Sequence, residues 1–295
     1  MFSYHFLGDV IRLVGARPGK KLVITAGIDG DEFCGIKAAN ILGSQLKIID
    51  FAGEIVIIPT LNVPGNKTRQ SANPIDGRLP KYIFPGNAWG SDSYRLINWL
   101  NKNHLKGAHA WIDLHGGNLN EHLNPFIWTF DTVSPRVNEL GLAMQQASGC
   151  LFGIHEKAEF FSKANYLAQR GCAYILVESG ELGEVKEEDV KRHINWVTSL
   201  MRILGMLPGH RVSGKMPALY SKVKPIVARV QGEWCHNISS SQISNGEKLG
   251  TLSAHYTQDF FADEECVPLW WHKNGNAKRG QQLIVVASRR DIILP

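Results

Sequence analysis

Short apolar runs that end on glycine or a charged side chain alternate with stretches of helical period along the first two thirds of the chain. The β-branched run at 22–25 predicts a buried strand, closed by the glycine-punctuated turn around Gly27 and Gly30. A helix is predicted over 33–46, with Ile36, Ala39 and Leu46 on its apolar side, and a second strand over 54–59. Strand, helix, strand is the signature of a βαβ unit. Further strands are predicted over 108–114, 125–130 and 172–177, and helices over 92–103, 135–148 and 187–204. Ser91 or Asp92 supplies a cap for the first of these helices, and Pro135 suits the first turn of the second. Residues 66–90 carry no periodicity, and a loop that long inside a compact domain is usually functional.

The pattern changes at 205–209. Beyond it helical spacing disappears, and short β-rich pieces at 225–230, 247–252 and 281–287 alternate with turns. The expected architecture is α/β, a mixed β-sheet flanked by helices on both faces over residues 1–209, followed by a small all-β domain over 210–295. Composition agrees with a globular chain, since 44% of the 295 residues are hydrophobic and 20% charged. The formal charge of +5 is scattered rather than blocked, so nucleic acid is not an expected partner. No apolar stretch approaches the roughly 20 residues of a spanning helix, and residues 1–21 lack the apolar core of a secretory signal, so no membrane association and a cytoplasmic location are expected. Five cysteines without CxxC spacing read as buried, reduced thiols.

Three predicted strand ends carry the candidate chemistry. Asp29 and Glu32 follow the first strand, His115 closes the strand over 108–114, and Glu178 follows the run at 172–177. Ligands of open α/β sheets bind at the carboxyl ends of strands, and Asp, Glu and His arriving there together can hold one metal ion. Taken singly, each has an ordinary structural use as a turn acid or a hydrogen-bonded histidine.

Several motifs follow one another: Gly27-Ile28-Asp29-Gly30-Asp31-Glu32, then Pro59-Thr60-Leu61-Asn62, then Arg69 and the segment Asp76-Gly77-Arg78-Leu79-Pro80-Lys81-Tyr82-Ile83-Phe84-Pro85-Gly86. Asp113-Leu114-His115 and Val177-Glu178-Ser179-Gly180 complete the series. In this order they resemble the succinylglutamate desuccinylase/aspartoacylase family of zinc hydrolases, relatives of the zinc carboxypeptidases. The resemblance implies that Asp29, Glu32 and His115 hold one divalent metal and that Glu178 is the general base and acid. It further implies that Arg69, with Arg78 or Lys81, orients an anionic substrate, assisted by the Asn62 amide. The implied reaction is metal-dependent cleavage of an amide bond in an N-acyl amino acid or small peptide.

Two positions depart from the family pattern. Asp29 stands where the family has histidine, and Lys81-Tyr82 replaces an Asn-Arg pair. A carboxylate in place of an imidazole leaves a bound ion less positive and favours harder ions, so zinc is the first expectation and manganese or another hard ion the second. The alternative to an active enzyme is a catalytically impaired relative that binds or senses a ligand. His109, His122 and His155 are candidates for a replacement ligand. Trp111, Trp128, Phe130, Phe160 and Phe161 are expected in the core, whereas Trp270-Trp271 has three open uses: packing on the catalytic half, narrowing its entrance, or forming a homodimer.

Overall fold

The computed structural model describes residues 8–209 and 214–289, so the boundary drawn at 210 and the first residues of the N-terminal stretch lie outside the described residues. In chain order the first elements are β1 (Ile11–Val14), β2 (Arg17–Ala26), α1 (Phe33–Gln45), β3 (Ala52–Ile58), α2 (Val63–Thr68), α3 (Asp92–Trp99), β4 (Ala110–His115), β5 (Glu121–Leu123) and β6 (Phe126–Asp131). They continue as α4 (Pro135–Gln146), β7 (Phe152–Lys157), α5 (Lys163–Ala168), β8 (Ala173–Glu178), α6 (Glu187–Ile203) and β9 (Ala218–Tyr220). The C-terminal strands are β10 (Lys222–Val227), β11 (Gly232–His236), β12 (Lys248–Ser253), β13 (Thr257–Phe261), β14 (Cys266–His272), β15 (Gly275–Ala277) and β16 (Gln282–Ser288).

Eight strands form one mixed sheet in the order β1-β3-β2-β4-β8-β6-β7-β9. Its centre, β3, β2, β4 and β8, is parallel. Leu22 to Ala26 and all of β4 are buried, as apolar strands covered on both faces must be. One face packs on α1, α4 and α6, with Ala38, Met144, Trp196 and Leu200 in that layer. The other face packs on α3 and α5 through Leu96, Ile97 and Leu167. After Trp99 the helix does not stop but widens by one residue per turn over Leu100–Leu105.

The register decides where chemistry can occur. Thr25 pairs with Asp113, and His115 pairs with Glu178, so the carboxyl ends of β2, β4 and β8 lie side by side. Gly27 ends β2 at a φ of 61°, a left-handed turn that suits glycine, and the chain then swings into α1. Gly30 packs so closely on α2 that an added Cβ would lie 2.2 Å from the Gly65 carbonyl carbon.

The C-terminal strands form two four-stranded sheets, β10-β16-β14-β5 and β13-β12-β11-β15. Two strands cross between the halves: β5 pairs with β14, and β9 pairs with β7. The apolar cluster of Phe126, Phe152, Ile154, Leu269, Val285 and Ala287 draws on both. All five cysteines are free thiols, but the expected burial holds only for Cys34, Cys172 and Cys266; Cys150 is half-buried and Cys235 exposed. Among the described residues no helix is long and apolar enough to cross a membrane.

Candidate active site

Asp29, Glu32 and His115 are buried, and their donor atoms all lie within 4.8 Å of one another. Among the described residues this is the one such group of His, Cys, Asp and Glu. His115 Nδ1 lies 2.9 Å from Glu32 Oε2 and 3.6 Å from Asp29 Oδ2. Glu32 occupies the position before α1 where a side chain would cap the helix, but it makes no cap. Its carboxylate turns into the site instead and accepts the Gly116 N–H at 3.2 Å. Burial and the adjacent Asp29 push the Glu32 carboxyl well above its ordinary range.

The imidazole is held from behind. His115 Nε2 lies 3.2 Å from Asp113 Oδ2, two residues earlier on the same face of β4. Asp113 in turn accepts the Thr25 hydroxyl at 2.5 Å and the Tyr174 hydroxyl at 3.3 Å, and the Trp111 indole N–H donates to Thr25 at 2.6 Å. A carboxylate on the far ring nitrogen orients a histidine and raises its basicity, the usual arrangement behind a metal-ligating imidazole. Burial opposes charge on His115, yet Glu32 and Asp113 hold its pKa well above the ordinary value.

The two departures from the family pattern meet in space. The Lys81 ammonium donates to Asp29 Oδ2 at 2.6 Å, so the extra carboxylate carries its own counter-charge. Burial alone would lift the Asp29 carboxyl, but Lys81 and His115 hold it below the usual range. Asp29 Oδ1 is buried and has no hydrogen-bond partner among the described residues. A buried carboxylate oxygen left open beside an imidazole nitrogen and a second carboxylate is the donor set of a divalent ion, and these residues therefore fit one.

Glu178, the last residue of β8, borders the same space, and its Oε2 is buried without a partner among the described residues. Burial raises its pKa to about 7, against the opposing pull of His115 and Lys81. A cavity of about 400 Å³ opens over Glu32, His115 and Glu178. Its walls include Lys81, Glu121, Trp128, Phe130, Lys163 and Trp270.

The other sequence-predicted residues lie elsewhere. Asn62 is fully buried and spends both ends of its amide on backbone, accepting Gly65 N–H at 3.1 Å and donating to Ser71 O at 3.1 Å. Arg69 and Arg78 are exposed, over the rings of Phe33 and Tyr94, and do not line the cavity. Nor do the spare histidines join the cluster. His109 accepts the Lys21 N–H, His155 bonds Thr129, and His122 pairs with Glu181 and stacks on Trp271.

Several aromatic expectations need correction. Phe160 and Phe161 are 68% and 94% exposed, because they fall in the loop before α5 rather than on a strand. Trp128 and Phe130 face the cavity, since alternation along β6 puts them on the side opposite buried Thr129. Trp270 closes the cavity from the C-terminal half and Trp271 packs on His122. Sequence reading passed over Lys163 and Tyr174 as site residues. Asp113 likewise received no role from the sequence, although its place two positions before His115 on one strand was a signal for it; Lys163 reaches the site only through the placement of α5.

The fold is that of solved aspartoacylase-type structures. A succinylglutamate desuccinylase/aspartoacylase from Rhodobacter sphaeroides superposes with a TM-score of 0.82 at 19% identity, covering 96% of this chain and 89% of that one. The product-bound ectoine utilization protein EutE (DoeB) from Ruegeria pomeroyi also gives 0.82, at 16% identity over 94% and 88% of the two chains. The model of the succinylglutamate desuccinylase/aspartoacylase catalytic domain matches residues 18–204, and the chain belongs to that family. A curated relative, the N-alpha-acetyl-L-2,4-diaminobutyric acid deacetylase of Halomonas elongata, is 22% identical over 227 residues. That match covers 76% of this chain and 66% of the relative, just under two thirds of its length.

Proposed function

We propose that the protein is a metal-dependent amide hydrolase acting on an N-acyl amino acid. The observation that carries this reading is the convergence of Asp29, Glu32 and His115 beside Glu178, with Asp113 bracing the imidazole and Asp29 Oδ1 left open. Family membership and the deacetylase relative support the amide bond as the target.

Asp29, Glu32 and His115 would hold a divalent ion, zinc first and a harder ion such as manganese second. When bound, such an ion supplies Lewis-acid polarisation of the acyl carbonyl and makes water a better nucleophile. Glu178 takes the proton of the attacking water and delivers it to the leaving nitrogen. A carboxyl with a pKa of about 7 suits both halves of that transfer, because neither protonation state is costly near neutral pH. Trp270 and the apolar walls line the space in which the acyl substrate would lie. Arg69 and Arg78, away from the cavity, remain candidates only for guiding an anion toward its mouth.

A second reading, a ligand-binding relative without turnover, draws on one feature: the Lys81 ammonium already supplies a positive charge at Asp29. Protein stripped with chelator, reloaded with zinc and given N-acetyl amino acids is expected to release acetate and free amine. Glu178→Gln should lower the rate by about a thousandfold or more, in line with loss of a general base and its proton delivery. Equal turnover by Glu178→Gln, or none by the reloaded wild type across the panel, contradicts the hydrolase reading.

A further inference from the structure

Lys163, the first residue of α5, presents a half-buried ammonium to the cavity. Among the described residues the ammonium makes one hydrogen bond, donated to the Tyr174 hydroxyl at 2.8 Å, and it also lies 4.0 Å from the Tyr174 ring centroid and 5.1 Å from that of Trp111. Among the described residues no carboxylate oxygen lies within 4.0 Å of it. Lys81, the other ammonium on the cavity wall, is already committed to Asp29. Burial lowers the Lys163 pKa to about 8, against the pull of Asp113, which is reached only through the Tyr174 hydroxyl, and of Asp29. A half-buried ammonium that touches only aromatic rings and a hydroxyl, with its nearest carboxylate one hydroxyl further on, gains from an anion delivered by a ligand.

The wall that begins at Lys163 is aromatic. Tyr174 stacks on Phe130 at 5.8 Å, Phe130 on Trp128 at 6.2 Å, and Trp128 meets Trp270 of the C-terminal half at 6.5 Å. Leu176, opposite Trp128 in the β6–β8 pairing, extends the apolar surface toward Glu178. Carboxylate anchor and apolar wall therefore share one ring, Tyr174. In an N-acyl amino acid the carboxylate and the side chain likewise share one carbon.

Building on the amide-hydrolase reading, we propose that this cavity selects N-acyl amino acids with an apolar, preferentially aromatic, side chain, the α-carboxylate lying on Lys163 and the side chain along Phe130, Trp128 and Trp270. A cationic side chain laid along the same path would exchange apolar burial for a desolvated charge, which the ring faces and the wall carboxylate Glu121 offset only in part.

The test is binding, read separately from turnover. In a Glu178→Gln background, calorimetric titration with N-acetyl-L-phenylalanine, N-acetyl-L-phenylalaninamide and N-acetyl-L-2,4-diaminobutyrate should rank the first tightest by about tenfold or more, the worth of one charge-assisted hydrogen bond. Adding Lys163→Met should erase the advantage of the acid over the amide while leaving the amide's affinity unchanged, and Lys163→Arg should restore most of it. With Glu178 intact, Lys163→Met should raise KM far more than it lowers kcat. An undiminished acid preference in Lys163→Met, equal binding of the diaminobutyrate, or no binding of any of the three overturns the proposal. Carboxylate-dependent binding in a protein that hydrolyses nothing would keep the anchor and discard the hydrolase reading, whereas hydrolysis indifferent to Lys163 would do the reverse.

Discussion

Asp29 and Lys81 stand 52 positions apart in the chain and 2.6 Å apart in the fold. From the sequence each looks like a separate loss, a missing imidazole and a missing arginine. In space one substitution answers the other, because a buried carboxylate without a cation would be costly and a lysine from the long loop supplies the charge. Asp29, Glu32, His115 and Glu178 were legible because strand ends announce themselves by short apolar runs closing on polar residues. The use of Lys81 was not, since nothing in a loop without periodicity reveals which charge it faces. The pairing has a measurable consequence. A divalent ion and the ammonium compete for the same carboxylate, so Lys81→Met should tighten zinc binding by roughly tenfold or more in a competition titration with a chromophoric chelator. Unchanged or weaker binding would mean that Lys81 does not oppose the ion.

At the scale of elements, α6 fixes the strand end that carries Glu178. Ser179 donates its hydroxyl to Asp189 at 2.8 Å, and its carbonyl lies 3.1 Å from His193 Nε2, both partners on α6. His193 is fully buried, and burial depresses its pKa to about 4. The unfolded chain, with His193 near its ordinary 6.5, binds a proton that the folded chain refuses, so stability is complete above pH 6.5 and falls as the pH drops toward 4. The loss should reach about 3 kcal/mol. In denaturant titrations from pH 7 to 4, His193→Gln, which keeps a donor for Ser179 O, should show a shallower decline than the wild type; parallel declines would contradict this role. The α6 helix was legible from its acidic first turn and apolar stripe. Strand β7 escaped because Gly153 interrupts its alternation. The missing side chain is supplied from elsewhere: Gln145 of α4 lies over Gly153 and donates to Ile127 O at 2.9 Å and Ile154 O at 2.8 Å, joining β6 to β7.

Across the whole molecule, the cavity belongs to neither half alone. The strand ends supply the acidic and imidazole groups, while Val223, Pro225, Trp270, Gln282 and Val285 close the opposite side. The crossing strands β5 and β9 and their shared apolar cluster tie that cover to the sheet. A change from helical to strand-like pattern near 205–209 was visible in the sequence, but the crossings were not, because β5 and β9 are three residues each and leave no periodic signal. The proposed function rests on this floor of two carboxylates and an imidazole under an aromatic roof. The most direct test is the metal content of the intact chain after equilibration with zinc and gel filtration, measured by elemental analysis for the wild type and for Glu32→Ala and His115→Ala. The expected result is one zinc per chain in the wild type and far less in either variant, with folding of the variants verified by circular dichroism. No zinc in the wild type, or one zinc retained in both variants, would contradict the assignment.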